Sequence, residues 1–168
     1  MDVVKGAIFS SLGEVTPGAR VLDLFAGCGA LGIEALSRGA ASADFVESDR
    51  RAVAAIERNL SKTRLNGSVH GMDVFKFLDR LAAPASYDVI FADPPYAKTG
   101  GARDFTPELL GSESLRRALA PNGIFVLEHL PGVELPLQAV WECIRQKRYG
   151  ATEVAFLQVR FAGDLPAS

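Results

Sequence analysis

Apolar and polar residues follow two different periods along the 168 residues of this chain. Continuous apolar runs predict buried strands, whereas apolar residues three or four apart predict helices that pack through one face. The predicted strands are 21–25, 44–47, 68–71, 87–92, 124–128, 141–148 and 152–161. The predicted helices are 2–12, 31–38, 50–64, 74–82 and 108–120, and residues 97–106 are predicted to form a glycine-containing loop.

The order of these elements predicts the fold. Strands and helices alternate as far as residue 128, which is typical of a parallel sheet with helices on both faces. The last two strands are joined at residues 149–151 and predict an antiparallel hairpin at one edge of the sheet. We therefore predict a single domain over residues 1–168, with an α/β fold and a mostly parallel seven-stranded sheet.

The composition narrows the possible classes of protein. No apolar stretch is long enough to cross a bilayer, the N-terminus lacks a signal-peptide pattern, and Cys28 and Cys143 match no metal-ligand spacing. We therefore expect a cytoplasmic monomer without a metal ion. The formal net charge of −2 gives no general support for nucleic-acid binding, so any basic patch must be local. Candidates are Arg116-Arg117 and residues 145–148, although ordinary surface charge also explains each of them.

Four residues at the end of a predicted strand indicate a binding site. Asp93-Pro94-Pro95-Tyr96 follow the apolar run 87–92, and ligands of open α/β sheets bind beyond the carboxyl ends of the strands. Proline lacks a backbone donor and fixes the chain, so this corner presents carbonyl oxygens, a carboxylate and a flat ring. Such a corner can hold a planar, amino-bearing group by hydrogen bonds and stacking. The sequence contains no competing Ser–His–acid set or metal-ligand cluster.

A glycine loop follows the first predicted strand. Gly27, Gly29 and Gly32 fit the spacing of the dinucleotide-binding pattern, which alone is a weak indication. Glu47 ends the second strand about twenty residues later, where an acid can accept both hydroxyl groups of a ribose. A nicotinamide dinucleotide and S-adenosylmethionine are both compatible with this arrangement.

Two further acids indicate which of these two cofactors the chain binds. Asp23 lies inside the apolar first strand, where it can meet the ammonium of a methionine moiety, and it has no task beside a pyrophosphate. Asp73 follows the third strand and can accept the amino group of adenine, although it can equally cap the helix that begins at Val74. These residues favour S-adenosylmethionine, and the sequence indicates no site for a hydride acceptor.

With these residues, the chain resembles class I S-adenosylmethionine-dependent methyltransferases. It is more closely similar to the bacterial 16S rRNA guanine-N2 methyltransferases, also called the conserved hypothetical protein 95 family. The matching stretches are 4–10, 21–40, 45–47 and 91–96, and the stretch with the glycine loop is the most specific to the family. The resemblance implies a Rossmann-like fold, S-adenosylmethionine as the cofactor, and rRNA or an assembling small ribosomal subunit as the partner.

The resemblance also implies roles for individual residues. Asp93, Pro94, Pro95 and Tyr96 would hold the target base and are the implied catalytic residues. The implied cofactor-binding residues are Asp23, Gly27 and Gly29 at the methionine end, Glu47 at the ribose, and Asp73 and Val74 at the adenine, with Phe25, Ala26, Ser48 and Asp93 completing the set.

Other functions remain open at this level. Asp-Pro-Pro-Tyr also occurs in DNA adenine-N6 methyltransferases, and a related motif marks protein glutamine methyltransferases. A cofactor-binding module without catalytic activity is a further alternative. The basic segment with which family members usually begin is absent ahead of the first helix, so we expect a shortened member or a fragment.

Overall fold

The computed structural model describes residues 2–95 and 103–160, which form one sheet and the helices packed against it. The strands are β1 (Arg20–Leu24), β2 (Ser42–Glu47), β3 (Ser68–Gly71), β4 (Tyr87–Ala92), β5 (Leu119–His129), β6 (Trp141–Tyr149) and β7 (Thr152–Val159). The helices are α1 (Asp2–Leu12), α2 (Ala30–Ser37), α3 (Arg50–Thr63), α4 (Val74–Arg80), α5 (Phe105–Leu110) and α6 (Glu113–Ala118), with a 3₁₀ turn at Gly13–Val15. None of the described helices is long and apolar enough to span a membrane.

The sheet has seven strands in the order β3-β2-β1-β4-β5-β7-β6. The first five in this order are parallel, and β7 pairs antiparallel with both β5 and β6. This confirms the predicted α/β fold with its terminal hairpin. The chain moves outward from β1 to β3 and then returns to the other side of β1 at β4. Ligands of such sheets bind in the crevice that this reversal opens at the carboxyl ends of the strands.

Each face of the sheet buries its own apolar core. On one face, α1, α2 and α3 cover a cluster centred on Phe45, Phe91 and Val126. On the other face, α4, α5 and α6 cover Leu22 and Phe125. Consecutive residues of a strand point to opposite faces, so a strand buried on both faces is apolar throughout. This is why continuous apolar runs in the sequence marked the central strands correctly.

The predicted helix 108–120 is wrong. The structure has two short helices that meet at Gly111, and Ser112 begins α6 by accepting a hydrogen bond from the backbone N–H of Leu115 at 3.1 Å. The interruption leaves the buried Leu110 carbonyl without a partner in the helix. It accepts hydrogen bonds from the Trp141 indole at 2.8 Å and from the Arg116 guanidinium at 3.2 Å instead. A contact from a distant strand thus stabilises the break.

The same region contains two smaller corrections. The strand predicted at 124–128 begins earlier, at Leu119, and residues 121–123 lie within β5, where the pairing with β4 shifts. Phe105 and Thr106 belong to α5 rather than to the predicted loop 97–106, most of which lies outside the described residues. The other predicted elements agree with the structure to within a few residues.

Candidate active site

A cavity of about 330 Å³ lies at the carboxyl ends of β1, β4 and β5. Three acids face it, Asp23 from β1, Asp93 after β4 and Glu128 near the end of β5, together with residues of the glycine loop and of α1. Lys5 of α1 is the one cation among the described lining residues, and its ammonium lies 3.3 Å from the Glu34 carboxylate. The cavity therefore carries an excess of carboxyl groups.

Asp23 is a buried carboxyl group, only 2% exposed, at the floor of this cavity. One of its oxygens accepts a hydrogen bond of 3.0 Å from the backbone N–H of Gly32 in α2. Burial raises the pKa of Asp23 to about 8, and the hydrogen bond from Gly32 opposes this rise only partly. At neutral pH the carboxyl is therefore mainly protonated, and a cation bound in the cavity would favour its ionised form.

Asp93 and Glu128 form a hydrogen-bonded carboxyl pair. The register of β4 and β5 pairs Ala92 with Leu127, so the next residues along both strands lie side by side on the face that carries Asp23. Burial raises the pKa of both groups, that of Glu128 to about 7, and Asp93 remains accessible to solvent at the mouth. A hydrogen bond between two carboxyl groups requires that one of them be protonated, so the pair shares a proton.

Glu128 was missed in the sequence. It follows Val126 by two residues, just as Asp93 follows Phe91, so the alternation along each strand could have placed both acids on one face. Finding the pair also requires knowing that β5 lies next to β4.

The glycine loop between β1 and α2 adopts a conformation that needs glycine. Gly27 and Gly29 have φ values of +59° and +85°, and Gly29 is the N-cap of α2. A Cβ on Gly29 would lie 3.2 Å from Ile56, whereas one on Gly27 would meet nothing within 4 Å. Phe25 also has a positive φ, +54°, although it is not glycine. Such strain is typical of functional sites.

Glu47 joins the loops after β1 and β2. One of its oxygens accepts a hydrogen bond of 2.9 Å from the backbone N–H of Gly27, and the other accepts one of 2.9 Å from that of Asp49. Ser48 lies exposed between them, and Asp49 caps α3. The predicted ribose ligand therefore shapes the glycine loop itself, and its oxygens retain lone pairs for further donors.

Asp73 caps α4, where its carboxylate accepts a hydrogen bond of 3.1 Å from the backbone N–H of Lys76. The backbone N–H of Val74 belongs to the first turn of this helix and so has no intrahelical partner. It can donate to a ligand.

An aromatic cluster that the sequence reasoning missed lies close to this helix end. Phe105 packs against Phe25 at 5.1 Å and Phe75 at 6.2 Å between ring centroids. The Arg103 guanidinium lies 4.6 Å from the Phe105 ring centroid and 5.2 Å from that of Phe75. The position of Phe75, directly after Asp73-Val74, was the available signal in the sequence.

The structure thus brings together part of the predicted site. Five of the predicted site residues line the cavity: Asp23, Phe25, Ala26, Gly27 and Asp93. Gly29, Glu47, Ser48, Asp73 and Val74 lie at the neighbouring strand ends and helix starts but do not line it. Pro94 is buried and Pro95 is exposed, while Tyr96 lies outside the described residues. The described residues include no group of three or more His, Cys, Asp or Glu side chains placed to hold a metal ion.

Comparison with known proteins identifies relatives over nearly the whole chain. The family model described as conserved hypothetical protein 95 matches residues 1–158. YlbH of Bacillus subtilis, described as a candidate rRNA methyltransferase, is 37% identical over 164 residues, covering 95% of this chain and 86% of YlbH. Ribosomal RNA small subunit methyltransferase D of Escherichia coli is 32% identical over 168 residues, covering 99% of this chain and 81% of the relative.

A solved structure shares the fold. The Thermus thermophilus 16S rRNA N2 G1207 methyltransferase RsmC, in complex with AdoMet and guanosine, superposes with a TM-score of 0.75. The match covers 94% of this chain and 42% of that one, at 24% identity. At this identity the likeness shows the Rossmann-like methyltransferase fold alone.

Proposed function

The chain belongs to the conserved hypothetical protein 95 family of S-adenosylmethionine-dependent rRNA methyltransferases, and from that premise we propose that it methylates the exocyclic N2 amine of a guanine in 16S rRNA. The relative from Escherichia coli, named for the small ribosomal subunit, supports the choice of RNA. The Thermus thermophilus structural neighbour, named for guanine N2 and solved with guanosine, supports the choice of atom.

The observation that carries this proposal is the acidic cavity at the point where the strand order reverses. S-adenosylmethionine carries a positive sulfonium and an ammonium, and the three carboxyl groups of Asp23, Asp93 and Glu128 fit these charges. The pyrophosphate of a nicotinamide dinucleotide would instead bring negative charge against the same carboxyl groups. The chemistry of the lining residues therefore supports the first cofactor and opposes the second.

Each part of the cofactor has a matching group in the chain. Asp23 holds the ammonium of the methionine moiety, and the glycine loop lets the backbone of Gly27 approach it closely. Glu47 accepts the ribose hydroxyl groups while it fixes the loop. The backbone N–H of Val74, at the start of α4, and the carboxylate of Asp73 recognise the adenine.

S-adenosylmethionine supplies an electrophilic methyl group, which is transferred to the guanine nitrogen as its bond to sulfur breaks and a neutral thioether remains. The task of the protein is to orient the amine, whose lone pair is otherwise shared with the guanine ring. Asp93 and the Pro94 carbonyl accept hydrogen bonds from its two protons, which favours a pyramidal nitrogen. The two prolines hold the corner rigid, so its dipoles need no reorganisation.

The remaining steps need little from the chain. The methylated nitrogen is acidic enough to lose one proton to water, so Asp93 acts as a hydrogen-bond acceptor and not as a strong base. Tyr96 stacks on the guanine ring, as the family resemblance implies, and such stacking contributes about 1–3 kcal/mol per base. The guanine must be unpaired or turned out of its helix to reach this corner.

The test is the transfer of labelled methyl groups from S-adenosylmethionine to parallel substrates. These are unmodified 16S rRNA, assembled small subunits, DNA and a protein release factor. Label in rRNA or subunits supports the proposal, whereas label only in DNA or protein contradicts it. Asp93→Asn keeps the shape of the corner and is the matched variant. We expect it to bind the cofactor and to lose methyl transfer by a factor on the order of a hundred. Cofactor binding without transfer to any substrate would point to a non-catalytic module.

A further inference from the structure

The edge strand β6 carries basic residues that the proposed catalytic site does not use. Its residues 144–148 are all exposed, and three of them, Arg145, Lys147 and Arg148, are basic. We call these three residues the β6 basic edge. The strand is the last in the sheet, so its outer side pairs with no other described strand.

The strand register places part of this edge on the same face as the catalytic acids. Val154 of β7 is the partner of both Glu128 and Lys147, so these three residues form one row across the sheet. Directly opposed residues point to the same face. Neighbouring strands lie about 4.8 Å apart, so the backbone of Lys147 is about 10 Å from that of Glu128 and about 14 Å from that of Asp93.

Arg145 lies on this face as well. Phe156 of β7 pairs with both Val126 and Arg145, which places Arg145 in the row next to that of Lys147. Arg148 faces the other way, since its partner Glu153 also pairs with His129. The side chains of Arg145 and Lys147 therefore make a short basic stripe beside the acidic cavity.

These two cations have no acidic partner among the described residues, in contrast to some of the other basic residues. Arg20, Arg38 and Arg103 each pair with a carboxylate, whereas no ion pair in residues 2–95 and 103–160 involves Arg145 or Lys147. The Lys147 ammonium lies 5.9 Å from the centroid of the Tyr149 ring, a neutral neighbour that leaves its charge available.

The charges of the cavity and of the whole chain do not by themselves favour RNA binding. The described lining of the cavity holds three carboxyl groups and one lysine, and the whole chain has a formal net charge of −2, so neither attracts an RNA backbone. RNA phosphates near the target base must therefore meet cations on the same face. Contacts to phosphates fix the position of a nucleic acid, while contacts to the base select it.

We propose that Arg145 and Lys147 bind backbone phosphates of the RNA strand that flanks the target guanine. This inference rests on the proposed function and names a docking surface for its substrate. The partner is single-stranded RNA that leaves the catalytic corner along the carboxyl edge of the sheet toward β6, since the face of β5 and β7 below that edge is buried. The side chains read no sequence, since they meet phosphates only.

The test compares two double variants with the same change of charge. Arg145→Glu/Lys147→Glu reverses the stripe. Arg58→Glu/Lys62→Glu is the control, since it reverses one arginine and one lysine that are exposed on α3, near the opposite end of the sheet. Both proteins are first checked for an unchanged melting temperature and for unchanged S-adenosylmethionine affinity. RNA affinity is then measured by titration with 16S rRNA fragments at several salt concentrations.

We expect the β6 variant to bind RNA at least tenfold more weakly at low salt, with the KM for RNA raised and kcat nearly unchanged. The slope of log affinity against log salt should decrease by about 1.4, because each phosphate contact in a single strand contributes about 0.7. The control should retain wild-type affinity and slope.

Three results would overturn the inference. The first is an equal loss of RNA affinity in both variants, and the second is an unchanged salt slope in the β6 variant. The third is a β6 variant whose sole defect is aggregation, with its remaining monomer binding RNA at wild-type affinity. The last would assign the cations to protection of the sheet edge. A wild-type protein that methylates no RNA would instead refute the proposed function, so the two failures are distinguishable.

Discussion

The charge of Asp23 offers a quantitative test of cofactor binding. The pKa of this carboxyl is raised to about 8, so about 1% of it is ionised at pH 6 and about half at pH 8. If the ammonium of S-adenosylmethionine requires the ionised form, binding at pH 6 includes a cost of about 2.7 kcal/mol for removing the proton. The dissociation constant should therefore fall about 50-fold between pH 6 and pH 8.

The variant for this test is Asp23→Asn. The side-chain oxygen of asparagine can still accept the hydrogen bond from Gly32, so the floor of the cavity keeps its shape while the titrating group is lost. Because Glu128 titrates near pH 7, both proteins should carry Glu128→Gln, which leaves Asp23 as the group under study. The asparagine variant should bind more weakly at pH 8, with an affinity that hardly varies with pH.

Isothermal titration calorimetry in buffers of different ionisation enthalpy measures both the affinity and the protons released. With Asp23 present, close to one proton should be released per bound cofactor at pH 6.5, and close to none with asparagine. S-adenosylhomocysteine, which keeps the ammonium but lacks the sulfonium charge, should show the same pH dependence. A flat affinity with Asp23 present, or an equal slope with asparagine, would refute the ammonium contact. A slope seen with S-adenosylmethionine alone would assign Asp23 to the sulfonium.

The same raised pKa predicts the pH dependence of stability. The folded protein without cofactor holds a proton on Asp23 up to about pH 8, whereas the unfolded chain loses it near pH 4. Folding therefore takes up a proton between these values, and the free energy of unfolding falls as pH rises through this window. Asp23→Asn should remove this part of the decline in chemical denaturation, and a stability that rises from pH 6 to pH 8 through Asp23 would contradict the burial argument.

Three further predictions concern neighbouring residues. Glu128→Gln should remove a rise in kcat/KM centred near pH 7. In the wild type the pair of Asp93 and Glu128 gains negative charge there, so it accepts hydrogen bonds from the amine more strongly and attracts the cofactor more strongly. A pH–rate profile with the same inflection in the variant would contradict the shared proton. Gly32→Ala should lower the free energy of unfolding by about 1–3 kcal/mol, measured by denaturation, because its Cβ would overlap the fully buried ring of Phe45; unchanged stability would show that the ring can move. Glu47→Ala should weaken cofactor binding at least tenfold with a smaller change in kcat, because it frees the backbone N–H of Gly27 as well as the ribose; a lowered kcat with unchanged cofactor affinity would be the opposite result.

Features that depend on local sequence were predictable. The helix predicted from residue 50 begins there, after its cap Asp49, and the bounds of β3 and β4 match, because capping residues and short apolar runs act over a few positions. The position of Asp23 and Asp93 at one edge also followed from the sequence, since the carboxyl ends of parallel strands meet there.

Features that depend on contacts between distant residues were not predictable. The break in the helix predicted at 108–120 is stabilised by Trp141, which lies 31 residues from its partner Leu110. The pairing of Asp93 with Glu128 depends on the adjacency of β4 and β5, which the sequence does not state. Glu47 carries structural hydrogen bonds that no motif indicates, so its proposed functional role adds to a role in the fold.

The central claim is that this chain methylates guanine N2 in 16S rRNA, and the identity of the product nucleoside tests it most directly. Purified protein, S-adenosylmethionine and unmodified small subunits would be incubated, and the rRNA digested to nucleosides for mass spectrometry against standards. The account predicts N2-methylguanosine with the wild-type protein and its near absence with Asp93→Asn. A methyl group on another atom or another base, or equal product from both proteins, would contradict it.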